Sequence, residues 1–397
     1  MSNKEKAPLV PKLRFPGFHV SWSNDPLSRT LEEHKLKNPH GRDVFSVSME
    51  CGIVNQIEHL GRSFAAADTS HYTVGRRFDV VYTKSPLKAF PFRIVKQCKF
   101  DGEVALSPLY GVFAPVNPHV GLLIEAYFES PNRSKSFLSP LCQKGAKNTL
   151  QITNTTFLSG RMPLPAEPVE QQKIADFLSS LDELIAAQAR KIDALKTHKK
   201  GLMQQLFPRE GETQPRLRFL EFRDSMAWEM NELGKICKSI ASGKDKNDLE
   251  GTFDLYGSTG VIGKALKATF DGTYILVARV GANAGFLNKV TGKFGVTDNT
   301  LTIDLQSTDQ LDFVYYFLDK IGLNKFAFGS GQPLITGTQL KELRVSFPSY
   351  KEQQKIAACL TSLDTLITTA TQELETLKTH KKGLMQQLFP SAEAVVA

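Results

Sequence analysis

One glycine-rich segment, Gly257–Ala265 with the sequence GSTGVIGKA, comes close to the spacing of a phosphate-binding loop. A nucleotide site of that kind has about four residues between its outer glycines, and a Ser or Thr after its lysine holds magnesium. Here five residues separate Gly257 from Gly263, and Ala265 follows Lys264. The segment therefore predicts a glycine-rich turn rather than a nucleotide site.

The sequence contains no other catalytic pattern that we can identify. GANAG at Gly281–Gly285 lacks a dinucleotide-binding fingerprint. The chain also has no Asn/Asp-Pro-Pro-aromatic motif, which an adenine methyltransferase would need. The five cysteines form no CxxC pair, and His198 and His380 lie among lysines, where a solvated or packed helix face is expected. We therefore expect no catalysis, no metal ion and no cofactor.

The composition is that of a soluble protein with a basic surface. Of the 397 residues, 41% are hydrophobic. The sequence has no apolar run of about 18 residues and no apolar core of a secretory signal, so we expect a cytoplasmic protein without membrane contact. The net charge is +8, and its excess lies in residues 1–160, with 20 Lys and Arg against 13 Asp and Glu. This excess is compatible with a polyanionic partner.

Loops that mix cations, amides and glycines are the best candidates for contact with a nucleic acid. Lys and Arg pair with phosphates, and Arg, Lys, Asn or Gln can read base edges. Glycine allows the backbone to approach a phosphate closely. The DNA-binding candidates are Arg76, Arg77, Lys84, Lys88, Lys144, Lys147, Asn148, Lys244, Lys246, Ser258, Thr259, Arg279, Asn283 and Gln332.

Two copies of one segment follow these two groups of loops. Residues 170–208 and 352–390 align without a gap at an offset of 182, and 26 of the 39 positions are identical. An internal repeat sets the architecture of a chain. Because the connecting segments are alike and the domains before them differ, we expect two distinct surfaces on equivalent supports.

Apolar residues in both copies alternate spacings of three and four, which is the heptad period of a helix that pairs with another helix. Pro208 and Pro390 are expected to end the two helices, and Gly201 and Gly383 mark either a kink or an earlier helix end. The predicted helix-pairing seam consists of Ile174, Leu178, Leu181, Ile185, Gln188, Ile192, Leu195, Ile356, Leu360, Leu363, Ile367, Ala370, Leu374 and Leu377.

Charge favours an antiparallel arrangement of the two helices. Parallel pairing would place the KTHKK sequences at 196–200 and 378–382 side by side, and like charges on neighbouring helix surfaces are costly. Gln188 and Ala370 lie near the helix midpoints and would then meet. A single polar residue in an apolar seam often fixes the register; the alternative is that Gln188 only reaches to water.

The segments before each helix predict two mixed, β-rich domains of an α+β protein. The strand signals are Asp43–Met49, Phe78–Thr83, Thr273–Val280 and Asn299–Leu305. A similar lead-in precedes each domain: PKLRFPGF with Trp22, and PRLRFLEF with Trp228. The predicted boundaries are 1–169 for the first lead-in and domain, 170–214 for the central helix, 215–351 for the second lead-in and domain, and 352–397 for the distal helix.

Three motifs in this order resemble the specificity (S) subunit of type I DNA restriction–modification systems. They are the lead-in LRFPGF at 13–18, the domain end GSGQPLIT at 329–336 with LKELRVSFPSYKEQQKIA at 340–357, and the helix end LKTHKKGLMQQLF at 195–207 and 377–389. The resemblance covers nearly the whole chain.

This resemblance implies two target-recognition domains, each of which reads one half of a split target on double-stranded DNA. It implies that the two conserved helices form an antiparallel coiled coil, with a pseudo-twofold repeat in the chain. It further implies a complex with two adenine-N6 methyltransferase subunits, optionally joined by restriction and translocation subunits. The S subunit itself would carry no catalysis.

Two other functions remain open on the sequence. One is a self-contained restriction or modification enzyme, against which the missing catalytic motifs argue. The other is a scaffold that binds only proteins through its coiled coil, against which two unlike domains and a basic first half argue.

Overall fold

The computed structural model describes residues 9–84, 94–144, 150–329 and 332–390. The chain divides into two compact units. Unit 1 comprises residues 1–187 and 374–397, and unit 2 comprises residues 188–373. The division falls inside both copies of the repeated segment, so each unit contains one β-rich domain and part of each long helix.

Unit 1 contains twelve strands and four short helices within the described residues, and the first long helix begins there. Its strands are β1 (Ser23–Pro26), β2 (Leu31–Glu33), β3 (Val44–Ser48), β4 (Gly52–Asn55), β5 (Thr73–Gly75), β6 (Val80–Thr83), β7 (Val95–Gln97), β8 (Val104–Leu106), β9 (Tyr110–Pro115), β10 (Gln143–Lys144), β11 (Leu150–Gln151) and β12 (Arg161–Leu164). Its helices are α1 (Gln56–Leu60), α2 (Pro118–Phe128), α3 (Pro131–Leu138), α4 (Asn154–Ser159) and the start of α5 (Pro168–Leu206).

Two four-stranded sheets form the body of unit 1, with strand orders β2-β9-β6-β7 and β4-β3-β8-β5. Successive side chains of a strand point to opposite faces. Val80 and Tyr82 of β6 accordingly join the core that includes α2 and the long helices, whereas Val81 joins a smaller core with Cys98 and Val112. This burial on both faces explains why β6 is an unbroken run of apolar and β-branched residues.

Within the described residues, unit 2 contains eight strands and parts of both long helices. Its strands are β13 (Glu229–Glu232), β14 (Cys237–Ser242), β15 (Phe253–Gly257), β16 (Gly260–Ala265), β17 (Phe270–Ala278), β18 (Leu287–Val296), β19 (Thr300–Leu305) and β20 (Arg344–Phe347). Its other helices are α6 (Leu233–Ile236), α7 (Leu311–Ile321), α8 (Gly337–Glu342) and α9 (Tyr350–Leu388), which begins in this unit.

One six-stranded sheet, in the order β14-β19-β17-β18-β15-β16, forms the body of unit 2. All its neighbouring strands are antiparallel except β15 and β18. Ile275 and Val277 pack in the core with α7, and Leu276 packs on the other face with Phe294. The α+β class is confirmed, and the four strand signals correspond to β3, β6, β17 and β19.

The two long helices end where their prolines predict, at Leu206 and Leu388. Both helices continue through Gly201 and Gly383, so an earlier helix end at these glycines is wrong. Residues of the predicted seam are buried or half-buried.

In unit 1 the start of α5 packs against the end of α9. Ile174 and Leu178 share a core with Met385 and Leu388. Lys381 Nζ donates to Asp182 Oδ1 at 2.6 Å. The N-terminal part of α5 thus packs against the C-terminal part of α9.

Unit 2 repeats this pattern with the roles of the helices exchanged. Met203 and Leu206 of α5 share a core with Ile356 and Leu360 of α9. Lys199 Nζ donates to Asp364 Oδ1 at 2.7 Å. This ion pair is the counterpart of Lys381–Asp182, since each residue is displaced by 182 positions.

Gln188 connects the two helices near their midpoints, within unit 2. Its Nε2 donates to the carbonyl of Ala370 at 3.0 Å and to Glu373 Oε2 at 2.7 Å. The amide therefore bonds across the seam, as the register hypothesis requires. A buried carbonyl and a carboxylate both gain a donor from this one side chain.

A buried ion pair joins each lead-in to the first turn of a long helix. In unit 1, Arg14 Nε and Nη2 each donate to one carboxylate oxygen of Glu170 at 2.7 Å. In unit 2, Arg218 bonds Glu352 in the same two-pronged way, at 2.8 and 2.7 Å. The carboxylates also lie at helix N-termini, where the helix dipole favours negative charge.

The glutamine after each of these glutamates binds the backbone just before the helix. Gln171 Nε2 donates to Pro165 O at 2.8 Å, and Gln353 Nε2 donates to Pro348 O at 2.9 Å. The repeated sequence EQQ therefore holds the strand that ends each domain beside the helix that follows it. The sequence alone showed that EQQ recurs but not what it does.

An aromatic contact completes each anchor. Trp22 of the first lead-in packs edge-on against Phe389 in unit 1, with ring centroids 5.9 Å apart. Trp228 packs in the same way against Phe207 in unit 2, at 6.2 Å. Each lead-in thus contacts the start of one long helix and the end of the other within its own unit.

We predict that Glu352→Ala destabilises unit 2 by about 3–5 kcal/mol, because it leaves the buried Arg218 guanidinium without its carboxylate. Chemical denaturation followed by circular dichroism and by Trp228 fluorescence would measure this change. Asp254→Ala, which breaks the exposed pair with Lys264, is the control and should cost no more than about 1 kcal/mol. Equal effects of the two variants would contradict the anchoring role of Glu352.

Candidate nucleic-acid interface

In unit 1 a tight turn between β5 and β6 carries two of the predicted residues, Arg76 and Arg77. The buried carboxylate of Asp79 holds this turn, since its Oδ2 accepts from Arg76 N at 2.7 Å and lies 2.7 Å from His34 Nε2. Phe78 adopts a left-handed backbone conformation with φ of 74°, which is costly for a bulky residue. The turn therefore carries two exposed arginines on a backbone that the Asp79 carboxylate holds in place.

Carboxylates hold these arginines in the free protein. Arg76 Nε donates to Glu103 Oε1 at 3.0 Å, and Arg42 Nε donates to Glu103 Oε2 at 2.8 Å. Arg77 pairs with Asp101. Hydrogen bonds from Arg76 and Arg42 hold the pKa of Glu103 below its ordinary value. A phosphate would have to compete with these carboxylates for the same donors.

The remaining candidates of unit 1 are less informative. Lys84 Nζ donates to Pro108 O at 3.0 Å, and burial lowers the pKa of this lysine. Lys88, Lys147 and Asn148 lie outside the described residues, as does the side chain of Lys144.

In unit 2 the loop after β14 carries Lys244 and Lys246, both exposed. Asp245 between them anchors the loop, because its carboxylate accepts from Val296 N at 2.8 Å and from Thr269 Oγ1 at 2.5 Å. A Cβ on the preceding Gly243 would lie 1.9 Å from Val296 O, so glycine is needed for this close approach. The fold therefore directs the two flanking lysines to solvent.

The segment GSTG is a two-residue hairpin turn between the antiparallel strands β15 and β16. Gly260 takes a positive φ of 105° there. The segment therefore forms the predicted turn, and it is followed by a strand. Ser258 Oγ donates to Asn299 O at 3.0 Å, and Thr259 is exposed.

The loop after β17 carries Arg279 and Asn283 to the same place. Arg279 N donates to Asn299 O at 2.9 Å, and Gly281 N donates to Pro333 O at 2.9 Å, beside the exposed Gln332. Asn299 O in the turn between β18 and β19 thus accepts hydrogen bonds from two neighbouring loops.

We call this patch the Asn299 surface and define it by the unit 2 candidates together with two exposed residues of the central turn. Its members are Lys244, Lys246, Ser258, Thr259, Arg279, Asn283, Asp298, Asn299 and Gln332. Asp298 and Asn299 were not among the candidates predicted from the sequence, because Asp and Asn between strands are the ordinary signal of a turn.

The described residues contain no group of three or more His, Cys, Asp or Glu side chains placed to hold a metal ion. None of their helices is long and apolar enough to cross a membrane.

Comparison with known proteins assigns the chain to a family. The family model described as "Type I restriction modification DNA specificity domain" matches residues 101–197 and 226–379. The chain belongs to this family of DNA specificity proteins, and the predicted resemblance to type I specificity subunits is confirmed.

Individual relatives agree with this assignment. The type I restriction enzyme EcoprrI specificity subunit of Escherichia coli is 29% identical over 120 residues, which is 30% of this chain and 30% of that protein. The type I restriction enzyme MjaVIII specificity subunit of Methanocaldococcus jannaschii is 26% identical over 298 residues, 66% of this chain and 68% of that protein. The matched region thus spans a third to two thirds of the length of these relatives.

A solved structure shares the fold. The S subunit of a type I restriction–modification system from M. genitalium has a TM-score of 0.61 at 15% sequence identity. The alignment covers 96% of this chain and 100% of that one. The structural similarity supports the fold, and the low sequence identity carries no information on which bases are read.

We predict that Glu103→Gln strengthens binding to random-sequence duplex DNA, because it releases Arg42 and Arg76 for phosphates. The salt dependence of binding should steepen by up to about two phosphate equivalents. A titration of affinity against salt concentration would measure both effects. Glu58→Gln removes the same charge from another exposed position of unit 1 and is the control; a change of equal size would show a general charge effect instead.

Proposed function

We propose that this chain is the DNA-reading subunit of a type I restriction–modification complex and that each unit reads one half of a split target. The observation that carries this proposal is that two equivalent anchors support two unlike surfaces. Arg14–Glu170 and Arg218–Glu352 are built alike. In contrast, the Arg76–Arg77 turn and the Asn299 surface lie on sheets of different topology.

We infer that affinity and specificity come from different groups of these surfaces. Exposed lysines such as Lys244 and Lys246 would bind phosphates, which gives a salt-dependent affinity without sequence preference. Side chains such as Arg, Asn and Gln would read base edges in the major groove. The proposed DNA contacts are the candidates named above, to which the structure adds Asp298 and Asn299.

The two long helices, in this proposal, pair as an antiparallel coiled coil that spaces the two readers. Support comes from the contacts inside each unit, where the N-terminal part of one long helix packs against the C-terminal part of the other. The pairs Lys381–Asp182 and Lys199–Asp364 are equivalent under exchange of the two copies. This exchange is what a pseudo-twofold repeat would produce, and a twofold protein suits half-sites on opposite DNA strands.

The partners form part of the same proposal. Two adenine-N6 methyltransferase subunits would bind the chain and flip the target adenine out of the duplex. Restriction and translocation subunits would join the complex in some systems. The complex would act in the cytoplasm, where host DNA is found.

Two assays separate this function from its rivals. Methyl transfer by the purified chain alone would indicate a self-contained enzyme. Failure to bind any DNA in a filter-binding assay, even with methyltransferase subunits present, would indicate a scaffold that binds only proteins.

We predict that four residues inserted between Ala187 and Gln188 lengthen the unread gap of the target and leave both half-sites unchanged. One helical turn adds about 6 Å, which corresponds to about one to two base pairs. Methylome sequencing of a host that carries the intact system would show the modified motif before and after insertion. Replacement of four exposed residues in the same stretch, without insertion, is the control. A change in half-site sequence would contradict the spacing role of the helices.

We predict that replacement of residues 27–165 by the equivalent domain of another S subunit changes one half-site only. The reason is that each domain has its own core and its own anchors. The same methylome measurement applies. A change in both half-sites would show that the domains do not read independently.

A further inference from the structure

Arg279 is the only arginine in residues 233–343, the body of the second recognition domain. All the other cations of that stretch are lysines. The guanidinium is a planar fork that matches a pair of acceptors, whereas a lysine ammonium is a mobile point charge. This stretch therefore contains one cationic side chain that is suited to two-pronged recognition.

The surroundings leave this guanidinium without a carboxylate among the described residues. Its Nε is buried and has no hydrogen-bond partner there, and its Nη1 lies 3.5 Å from Asp298 O. Arg42, Arg76 and Arg77 of unit 1 differ, because Glu103 and Asp101 hold them. No carboxylate of the described residues therefore competes with a ligand for this guanidinium.

The backbone of Arg279 is held on both sides. Its N–H donates to Asn299 O at 2.9 Å, and its carbonyl accepts from Ile335 N at 2.9 Å. The neighbouring Ala278 N donates to Phe286 O at 2.8 Å. A side chain that reads a base must be presented from a fixed backbone.

We propose that Arg279 reads one guanine in the half-site of unit 2, by donating hydrogen bonds to its O6 and N7 in the major groove. This inference rests on the proposed function and adds a residue and a base to it. The exposed Lys244 and Lys246 on the same surface would bind the flanking phosphates. The half-site of unit 2 then contains at least one G·C pair whose identity depends on a single side chain.

The test is selection of binding sites from DNA with randomised half-sites, using the full chain assembled with its methyltransferase subunits. Three variants are compared with the original chain: Arg279→Ala, Arg279→Lys and Lys293→Ala. Lys293 pairs with Asp271 at the other end of β17 and β18, about 26 Å away along the strand. It therefore controls for loss of a cation from the same sheet.

Arg279→Ala should lower the preference for guanine at one position by roughly 5- to 150-fold and leave the other positions and the other half-site unchanged. Arg279→Lys keeps the charge but loses the fork, so its preference should fall between that of the original chain and that of Arg279→Ala. Lys293→Ala should leave every preference unchanged. Intact recognition of the other half-site shows that the variants are folded.

Two results would overturn the inference while the proposed function stands. One is a half-site of unit 2 without any G·C pair. The other is a uniform loss of affinity in Arg279→Ala with all base preferences intact, which identifies a phosphate contact. Failure of the original chain to select any sequence is a different result, since it would overturn the proposed function itself.

Discussion

Each unit depends on a buried arginine–glutamate pair between the lead-in and the first turn of a long helix. Arg14 and Arg218 come from segments that precede their domains, and Glu170 and Glu352 come from segments that follow them. The pair therefore holds the segment before each domain against the segment after it. Both partners of each pair are largely shielded from water. Removal of one partner would therefore leave the other charge buried and uncompensated, which is costly.

Around that closure, the same chemistry occurs twice with different partners. Gln171 and Gln353 bond the carbonyl of the proline that ends each domain, and Trp22 and Trp228 pack against the phenylalanines that end the long helices. The copies are not identical, since Trp22 Nε1 also donates to Glu170 whereas Trp228 Nε1 has no partner among the described residues. Supports that are conserved within one chain allow the reading surfaces to differ without a change in their attachment.

The two surfaces solve the same electrostatic problem in different ways. In unit 1, the carboxylates of Asp101 and Glu103 pair with Arg76 and Arg77. In unit 2, Lys244 and Lys246 are exposed, and hydrogen bonds hold the backbone of Arg279. Under the proposed function, the first arrangement would weaken binding to any polyanion, and the second would concentrate recognition in few side chains.

Much of the architecture could be predicted from the sequence because it depends on local periodicity. The heptad spacing around Ile174 and Ile356 predicts the helices, the prolines after Leu206 and Leu388 predict their ends, and the spacing in GSTGVIGKA excludes a nucleotide loop in favour of a turn. Glu103 and Asn299 could not be found in this way. A surface glutamate and an asparagine in a turn are ordinary residues until the fold brings Arg76 to Glu103 and two loops to Asn299.

The sequence by itself determined the repeat, the α+β class, the family and the types of residue available for DNA recognition, because periodicity and motif spacing are local properties of the chain. Tertiary structure alone decided which of those residues meet. Glu352 binds Arg218 at a sequence separation of 134 positions, and Ser258 binds Asn299 at a separation of 41. Such contacts depend on strand order and register, which the pairing of distant segments sets and no local pattern encodes.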